Sequence, residues 1–154
     1  MTNLSKVTTR SPEETRRLAA RLAARLRPGD VLALTGEIGA GKTTFVQGLA
    51  EGLGIPEGRV ASPSFVLVRE YHGGRLPLYH SDLFRLERLP EAATVGLEEV
   101  CESGGVTVIE WANRIPGVVP EEHLEIRFAM VDPDTRTLEL RPRGARYEGE
   151  DWWA

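Results

Sequence analysis

The sequence predicts an α/β fold in which helices cover both faces of one central sheet, a three-layer α/β/α arrangement. Two helical patterns within the first 54 residues flank the apolar run "DVLALTG" at 30–36, which is short enough for a buried strand. A second apolar run, "GGVTVIEW" at 104–111, also favours a central strand. Elsewhere, segments in which apolar and polar residues alternate are typical of antiparallel strands, so we expect a sheet of mixed parallel and antiparallel strands.

The first predicted helix extends from Ser11 to Gly29. Ser11 can cap it, Pro12 suits the first helical position, and Glu14 completes a capping box. Leucines recur every fourth residue, and Gly29 provides the stop. After the first strand, "KTTFVQGLAEGLG" predicts a second helix that ends at Gly54.

The second half of the chain predicts paired strands around one helical region. We expect strands at Phe65 to Tyr71 and Leu76 to Asp82, joined through a His-Gly-Gly turn. The segment "PEAATVGLEEVCES" predicts one or two short helices broken by Gly96. The segment "LEIRFAMVDPDTRTLELRP" alternates and turns at Asp132-Pro133-Asp134, which predicts an antiparallel hairpin.

Length and composition indicate a single domain over residues 1–154. The chain is 41% hydrophobic and 27% charged, as is usual for globular proteins. We expect residues 147–154 to form a candidate mobile tail. Its Trp152 and Trp153 are expected to pack on the protein's own surface, and a docking tail for a partner is the alternative.

Several features favour a cytoplasmic protein that does not engage a membrane. No apolar run approaches the ~20 residues of a membrane span. The start "MTNLSKVTTR" lacks the apolar core of a secretory signal. The single cysteine, Cys101, cannot form an internal disulfide.

The charges are unevenly distributed along the chain. The net charge of −4 argues against DNA binding or other nucleic-acid binding by electrostatics alone. Six arginines lie between Arg10 and Arg27, and nine glutamates lie between Glu87 and Glu125. Two interpretations stay open: solvated faces, or a basic surface that meets RNA or an acidic partner.

The segment "TGEIGAGKTTFVQG" contains a phosphate-binding motif. Gly36, Gly41, Lys42 and Thr43 fit G-x-x-x-x-G-K-[ST] between an expected strand and helix. The glycines let backbone N–H groups face phosphate oxygens, Lys42 reaches the β and γ phosphates, and the Thr43 hydroxyl can bind Mg²⁺. Lys42 and Lys6 are the only lysines among 19 basic residues, which favours a specific role for Lys42.

Two carboxylates are candidates to complete this site. Glu110 ends the apolar run "VTVIE", and Asp82 ends "LPLYHSD". Either could bind Mg²⁺, directly or through water, and one could orient the attacking water. His80 and Asp82 share one face of a strand, but no further histidine has the spacing of a transition-metal site.

The order of four blocks resembles the TsaE (YjeE) family, bacterial P-loop ATPases of tRNA threonylcarbamoyladenosine (t6A) biosynthesis. The blocks are "GEIGAGKTTF", "SPSFVLVREY", "YHSDLFRL" and "VIEWANR", within a match from Ser11 to Leu140. Three positions depart from the family pattern. Ser64 stands for the usual Thr, Phe84 for the usual Tyr, and a proline common after Trp111 is missing.

The resemblance implies a P-loop NTPase-like fold and a set of site residues. It implies switch-like segments at Ser62 to Phe65 and His80 to Leu86, and catalytic roles for Lys42, Asp82 and Glu110. It places Mg²⁺ at Thr43, Glu110 and Asp82. The implied nucleotide contacts are Gly36, Gly39, Ala40, Gly41, Lys42, Thr43 and Thr44, with Pro12 and Asp134 beside the adenine.

The resemblance also implies an activity and partners. The expected protein binds ATP/ADP and Mg²⁺, hydrolyses ATP slowly alone, and acts on a TsaD–TsaB complex that modifies adenosine 37 of ANN-decoding tRNAs. Contact with tRNA is expected to be indirect or weak. A small-molecule or nucleoside kinase and a nucleotide-sensing module are the alternatives. A GTPase is disfavoured, because its guanine-binding motif N-K-x-D needs a lysine after an asparagine and neither lysine of this chain follows one.

Overall fold

The structure is a computed structural model that describes residues 4–36, 41–56, 60–61, 68–83, 91–114 and 117–154. Short 3₁₀ helices at Ala112–Arg114 and Ala145–Tyr147 accompany the main elements. In chain order the α-helices and strands are β1 Ser5–Thr9, α1 Pro12–Ala23, β2 Val31–Gly36, α2 Lys42–Gly52, β3 Val60–Ala61, β4 Val68–Tyr71, β5 Leu78–Asp82, α3 Glu91–Cys101, β6 Val106–Glu110, β7 His123–Met130 and β8 Arg136–Arg143.

Within the described ranges the strands form one eight-stranded sheet in the order β1-β8-β7-β2-β6-β5-β4-β3. The central strand β2 is parallel to both β6 and β7, and β6 is parallel to β5. The outer pairs, β1–β8, β7–β8, β4–β5 and β3–β4, are antiparallel. The prediction of a mixed sheet is therefore confirmed.

Two apolar clusters fill the spaces on opposite faces of the sheet. The larger joins α1 and α2 to one face of the central strands. The smaller joins α3 to the other face, where Val31 and Ala33 of β2 meet Leu97 and Cys101 of α3. Because side chains alternate along a strand, β2 supplies both clusters, and its first four residues are all buried. This is the predicted three-layer α/β/α arrangement.

Glycines bring α1 and α2 into close contact. A Cβ atom on Gly48 would lie 2.3 Å from the Arg16 carbonyl oxygen, and one on Gly52 would lie 2.4 Å from that of Ala20. Side chains at these two positions would force the helices apart. This packing fixes α2, and with it Lys42 at the start of α2, against the rest of the fold.

The predicted start of α1 is confirmed, but its predicted end is wrong. The Ser11 side chain caps the helix by accepting from Glu14 N. The Glu14 carboxylate accepts from Arg10 N rather than completing the box at Ser11. The α-helix ends at Ala23, well before Gly29, because the next residues form tighter i→i−3 turns and Arg75 donates to the Ala23 carbonyl at 2.6 Å.

Other boundaries also differ from expectation. Helix α3 continues through Gly96, because the burial of Leu97 and Cys101 outweighs the ~1 kcal/mol cost of a helical glycine. Strand β5 begins at Leu78 instead of Leu76. Strands β1 and β3 were not predicted, whereas the hairpin of β7 and β8 was.

The C-terminal segment packs against the body of the protein. Trp152 is buried, and its Nε1 donates to the Tyr147 carbonyl at 2.9 Å. The Nε1 of Trp153 donates to the Ser5 carbonyl at 3.2 Å, and its ring packs edge-on against Phe45. The expectation that both tryptophans pack on their own protein is confirmed, and Trp152 belongs to the larger core cluster.

Candidate functional site

Three parallel strands place the candidate site residues at one edge of the sheet. Strands β2, β6 and β5 are neighbours that run in the same direction and end at Gly36, Glu110 and Asp82. Glu110 lies two residues after Val108 and Asp82 four residues after Leu78, both members of the larger core cluster, so both side chains lie on the sheet face that packs against α2. Helix α2 begins at Lys42 above this edge. The expected strand before the motif and the expected helix after it are both confirmed.

Lys42 is a buried cation with two partners in the described structure. Lys42 is only 5% exposed, and its Nζ donates to the Gly36 carbonyl at 2.8 Å. Nζ also lies 4.0 Å from the centroid of the Trp111 ring, a cation–π distance. A buried ammonium requires such compensation. The lysine is therefore held at the junction of β2, α2 and the end of β6.

The glycines of the motif have backbone roles that side chains would disturb. Gly36 has φ +133, and a Cβ there would lie 2.4 Å from the Phe128 carbonyl oxygen. Gly41 precedes α2 with φ +99, and no side chain caps this helix start in the described structure. The N–H groups of the first turn are therefore suited to an anion, as the helix dipole also favours. Thr43 is exposed and Thr44 half-buried in this first turn.

Glu110 and Asp82 are register partners across the parallel β5–β6 ladder, yet their surroundings differ. Glu110 is 3% exposed, and its Oε2 is in hydrogen-bond contact with His80 Nε2. Asp82 is exposed. The Leu83 N–H donates to the Glu110 carbonyl at 3.1 Å, which ties the chain after β5 to the end of β6. One carboxylate is thus fixed and buried, while the other faces solvent.

A cavity of about 620 Å³ opens beside Thr43 between α2 and the β4–β5 strands. His80 lines it, and the buried His80 Nδ1 has no hydrogen-bond partner in the described part of the chain. Arg69, the register partner of His80, and Arg16 of α1 line it as well. The cavity is therefore a polar space next to the start of α2.

The oxygen donors at this edge fit Mg²⁺. The Thr43 hydroxyl and the carboxylates of Asp82 and Glu110 are the hard oxygen ligands that this ion takes, with waters completing its shell. Across the residues that the structure describes, no group of three or more His, Cys, Asp or Glu side chains is arranged to hold a metal by itself. A magnesium ion here would share its ligands with phosphate oxygens and water.

The predicted adenine contacts, Pro12 and Asp134, lie at the same end of the sheet as Gly41. Thr9 of β1 pairs with Arg136 of β8. Helix α1 begins shortly after Thr9, and the β7–β8 turn ends just before Arg136, so the two segments lie near each other. The Arg136 side chain reaches Gly41, since a Cβ there would lie 4.0 Å from Arg136 Cγ. Adenine contact stays a prediction for both residues.

The β7–β8 turn itself is ordered by Asp132. Its Oδ1 accepts from Asp134 N at 2.9 Å and Thr135 N at 2.8 Å, and these hydrogen bonds lower the pKa of the Asp132 carboxyl. Arg136 Nη1 donates to the Asp132 and Pro133 carbonyls at 2.9 Å and 3.0 Å. The turn beside Gly41 is therefore held by its own side chains.

Some predicted site residues fall outside the described ranges. Gly39 and Ala40 of the loop are among them, as is the whole segment Ser62 to Phe65. Of the second switch-like segment, His80 to Leu83 are described and 84–86 are not. The nucleotide, metal and catalytic roles of the described residues likewise stay predictions.

Two site contacts escaped the sequence analysis. Trp111 was noted only as part of a family block, and its contact with Lys42 depends on the backbone turn after β6. His80 was weighed as a metal ligand, but the structure places it against Glu110. The spacing of His80 and Asp82 could have indicated this contact. Side chains two residues apart in a strand lie on the same sheet face, and Glu110 is the register partner of Asp82.

Comparisons with known proteins show the family of the chain. The model of the family "Threonylcarbamoyl adenosine biosynthesis protein TsaE" matches residues 9–138. The tRNA threonylcarbamoyladenosine biosynthesis protein TsaE of Bacillus subtilis is 46% identical over 138 residues, which cover 90% of this chain and 85% of the relative. The TsaE protein of Nostoc sp. strain PCC 7120 is 39% identical over 143 residues, which cover 90% and 86%.

A solved structure is similar over almost the whole chain. The crystal structure of YdiB from Bacillus subtilis superposes with a TM-score of 0.80 at 42% identity, covering 96% of this chain and 91% of that one. No helix in the described ranges is both long and apolar enough to cross a membrane. The family match spans most of the chain and contains Lys42, Asp82 and Glu110. The chain therefore belongs to the TsaE family of t6A biosynthesis proteins.

Proposed function

We propose that this protein binds ATP with Mg²⁺ at the edge formed by β2, β5 and β6 and hydrolyses it in support of tRNA threonylcarbamoylation. One observation carries the proposal: the buried Lys42 ammonium, the start of α2 and the Asp82–Glu110 pair converge at one edge of the sheet. A cation, the N–H groups of a helix N-terminus and two carboxylates are parts that phosphoryl transfer to water uses.

Each residue has a proposed task. Lys42 and the first turn of α2 bind the phosphates, and Thr43 holds Mg²⁺ with Glu110, directly or through water. When bound, Mg²⁺ neutralises charge on the β and γ phosphates. Glu110 suits metal positioning because His80 and burial fix its carboxylate. Asp82 is exposed on the neighbouring strand, so it suits the orientation of the attacking water.

The proposed biological role is that of an accessory ATPase in the cytoplasm. ATP binding and hydrolysis to ADP would order or reset a complex of TsaD and TsaB that modifies adenosine 37 of ANN-decoding tRNAs. This role rests on the family, whose members are named as t6A biosynthesis proteins. We expect slow turnover by the isolated protein and faster turnover with the partners present.

The test measures ATP turnover and tRNA modification together, with and without TsaD and TsaB. Lys42→Ala should abolish both partner-stimulated turnover and modification. Lys6→Ala is the matched control, because Lys6 is exposed on β1 and pairs only loosely with Glu139 at 4.0 Å. Equal stimulation of wild type and Lys42→Ala, or no stimulation with active partners, would refute the proposal.

A kinase is the second candidate, favoured by the cavity beside Thr43. Its volume of about 620 Å³ and its arginines, Arg16 and Arg69, suit a small phosphate acceptor. Arg16 is partly engaged by Glu51 at 3.5 Å. Radiolabelled γ-phosphate that appears on an added small molecule would favour this candidate, whereas release as inorganic phosphate favours the ATPase. Nucleotide binding with no turnover in either case would identify a sensing module.

A further inference from the structure

We propose that Trp111 competes with nucleotide phosphates for Lys42, so that nucleotide binding displaces the indole from the ammonium. The inference rests on the proposed binding of nucleotide at this site. It assigns Trp111 a positioning role: the residue holds Lys42 in the nucleotide-free protein and sets the affinity for nucleotide. Three features of the structure support it.

The first feature is the contact itself. Lys42 Nζ lies 4.0 Å from the Trp111 ring centroid while donating to the Gly36 carbonyl. Indole gives the strongest cation–π contact among the aromatic side chains, and burial of the ammonium strengthens it further. The ring therefore occupies one side of the ammonium, where a phosphate oxygen could otherwise bind. Phosphate binding must offset the loss of this contact.

The second feature is the backbone of Trp111. Its φ is +59, the left-handed region, which is costly for a bulky aromatic residue. Its N–H donates to the Leu34 carbonyl at 2.8 Å, so the turn is pinned to the end of β2. Such a conformation persists only where its surroundings hold it. Loss of the contact with Lys42 removes one of the interactions that hold it.

The third feature is space for the ring to move. A cavity of about 730 Å³ lies beside Trp111 on the face of the sheet opposite α2. Thr35 and Gly36 of β2, together with Arg127 of β7, contribute to its lining. The cavity therefore offers open space beside the indole on the side of the sheet away from α2.

The test compares the affinities of Trp111→Phe and Trp111→Leu for Mg–ADP by calorimetry. Affinity should tighten from wild type through Phe to Leu, because the competing ring becomes weaker and then absent. The expected total is about 2- to 30-fold, the equivalent of about 0.5–2 kcal/mol. Binding of AMP, which lacks the β-phosphate that Lys42 reaches, should change little across the series. Trp153→Phe is the matched control, because the contacts of Trp153 are with the Phe45 ring and the Ser5 carbonyl.

Tryptophan fluorescence of the wild type provides a readout that does not depend on the folding of any variant, and the two variants that each replace one tryptophan by Phe assign the signal. Mg–ADP should change the emission of the wild type and of Trp153→Phe, and the change should be lost in Trp111→Phe. Unchanged wild-type emission, or affinity that stays equal or weakens in Trp111→Leu, would overturn the inference. If the wild type binds no nucleotide, the proposed function fails with it; if it binds normally and the series is flat, this inference alone fails.

Discussion

Asp82 and Glu110 are direct partners across the β5–β6 ladder, but one side chain is exposed and the other is buried against His80. Two acids at equivalent strand positions therefore differ in burial and in exposure to solvent. A carboxylate held by a neighbouring imidazole keeps a fixed direction, which suits a metal shell. A solvent-facing carboxylate can reach and orient a water molecule. The difference is the basis for the proposed division of the metal-binding and water-orienting roles, which the sequence left open.

Isosteric substitutions should separate these two roles. Asp82→Asn should lower ATP turnover by about 10²–10⁴-fold while the dissociation constant for Mg–ATP stays nearly unchanged, because water activation is lost and phosphate binding is not. Glu110→Gln should raise the Mg²⁺ concentration for half-maximal nucleotide binding by roughly 10–100-fold. Magnesium titrations and single-turnover assays measure the two effects.

The control for both variants is Glu139→Gln, a carboxylate on β8 whose loose partner is Lys6. It should leave magnesium dependence and turnover unchanged. The assignment of roles is wrong if Asp82→Asn shifts the magnesium requirement and Glu110→Gln does not.

Much of the fold was predictable because the decisive patterns are local. The G-x-x-x-x-G-K-[ST] spacing, the cap at Ser11 and the alternation of β7 and β8 each lie within one element or one turn. Glu110 and Asp82 became candidates because each ends a strand-like run of the sequence, and the structure shows that these two strand ends are paired. These features required no knowledge of distant contacts.

What escaped prediction depends on distant contacts. Strand β1 is a polar edge strand, recognisable only through its pairing with β8 more than a hundred residues later. The end of α1 depends on Arg75, which caps Ala23 from the β4–β5 connection. The Lys42–Trp111 contact requires a left-handed backbone at Trp111 that no residue preference favours. Local sequence patterns do not predict contacts between residues that are far apart in the chain.

The close packing of α1 and α2 makes Gly48 intolerant of a side chain. Gly48→Ala should destabilise the protein by about 1–3 kcal/mol, because the new Cβ would lie 2.3 Å from the Arg16 carbonyl oxygen. Thermal unfolding should show a midpoint lowered by roughly 2–10 °C. Gln47→Ala, at the exposed neighbouring position, is the control and should not lower it. A Gly48→Ala protein as stable as wild type would mean that the helices can separate at little cost.

The buried Trp152 should make the C-terminal segment essential to stability. Trp152→Ala should cost about 3–5 kcal/mol of unfolding free energy through the cavity that it leaves. Trp152→Phe should cost less, since it retains most of the ring and loses the hydrogen bond to the Tyr147 carbonyl. Urea denaturation measures both variants. Two variants that both unfold like wild type would show that this segment contributes little to the core.

Burial of the Cys101 thiol should make the free energy of unfolding fall as the pH becomes alkaline. Burial raises the pKa of its thiol from 9.0 to about 11, with nearby Glu102 and Glu98 acting in the same direction. The folded state therefore holds the thiol proton more tightly than the unfolded state. The resulting stability is fully present below pH 9 and is lost as the pH rises towards about 11.

Comparison with Cys101→Ala isolates this contribution from other groups that titrate in the same range, such as Tyr147, whose pKa burial also raises. The difference in unfolding free energy between wild type and variant should shift against the wild type by roughly 2 kcal/mol between neutral pH and pH 11. Below pH 9, the folded protein should also react far more slowly with a thiol reagent than the urea-unfolded chain, because only the thiolate is nucleophilic and the thiol is buried. A pH-independent difference together with rapid labelling of the folded protein would contradict the buried, protonated thiol.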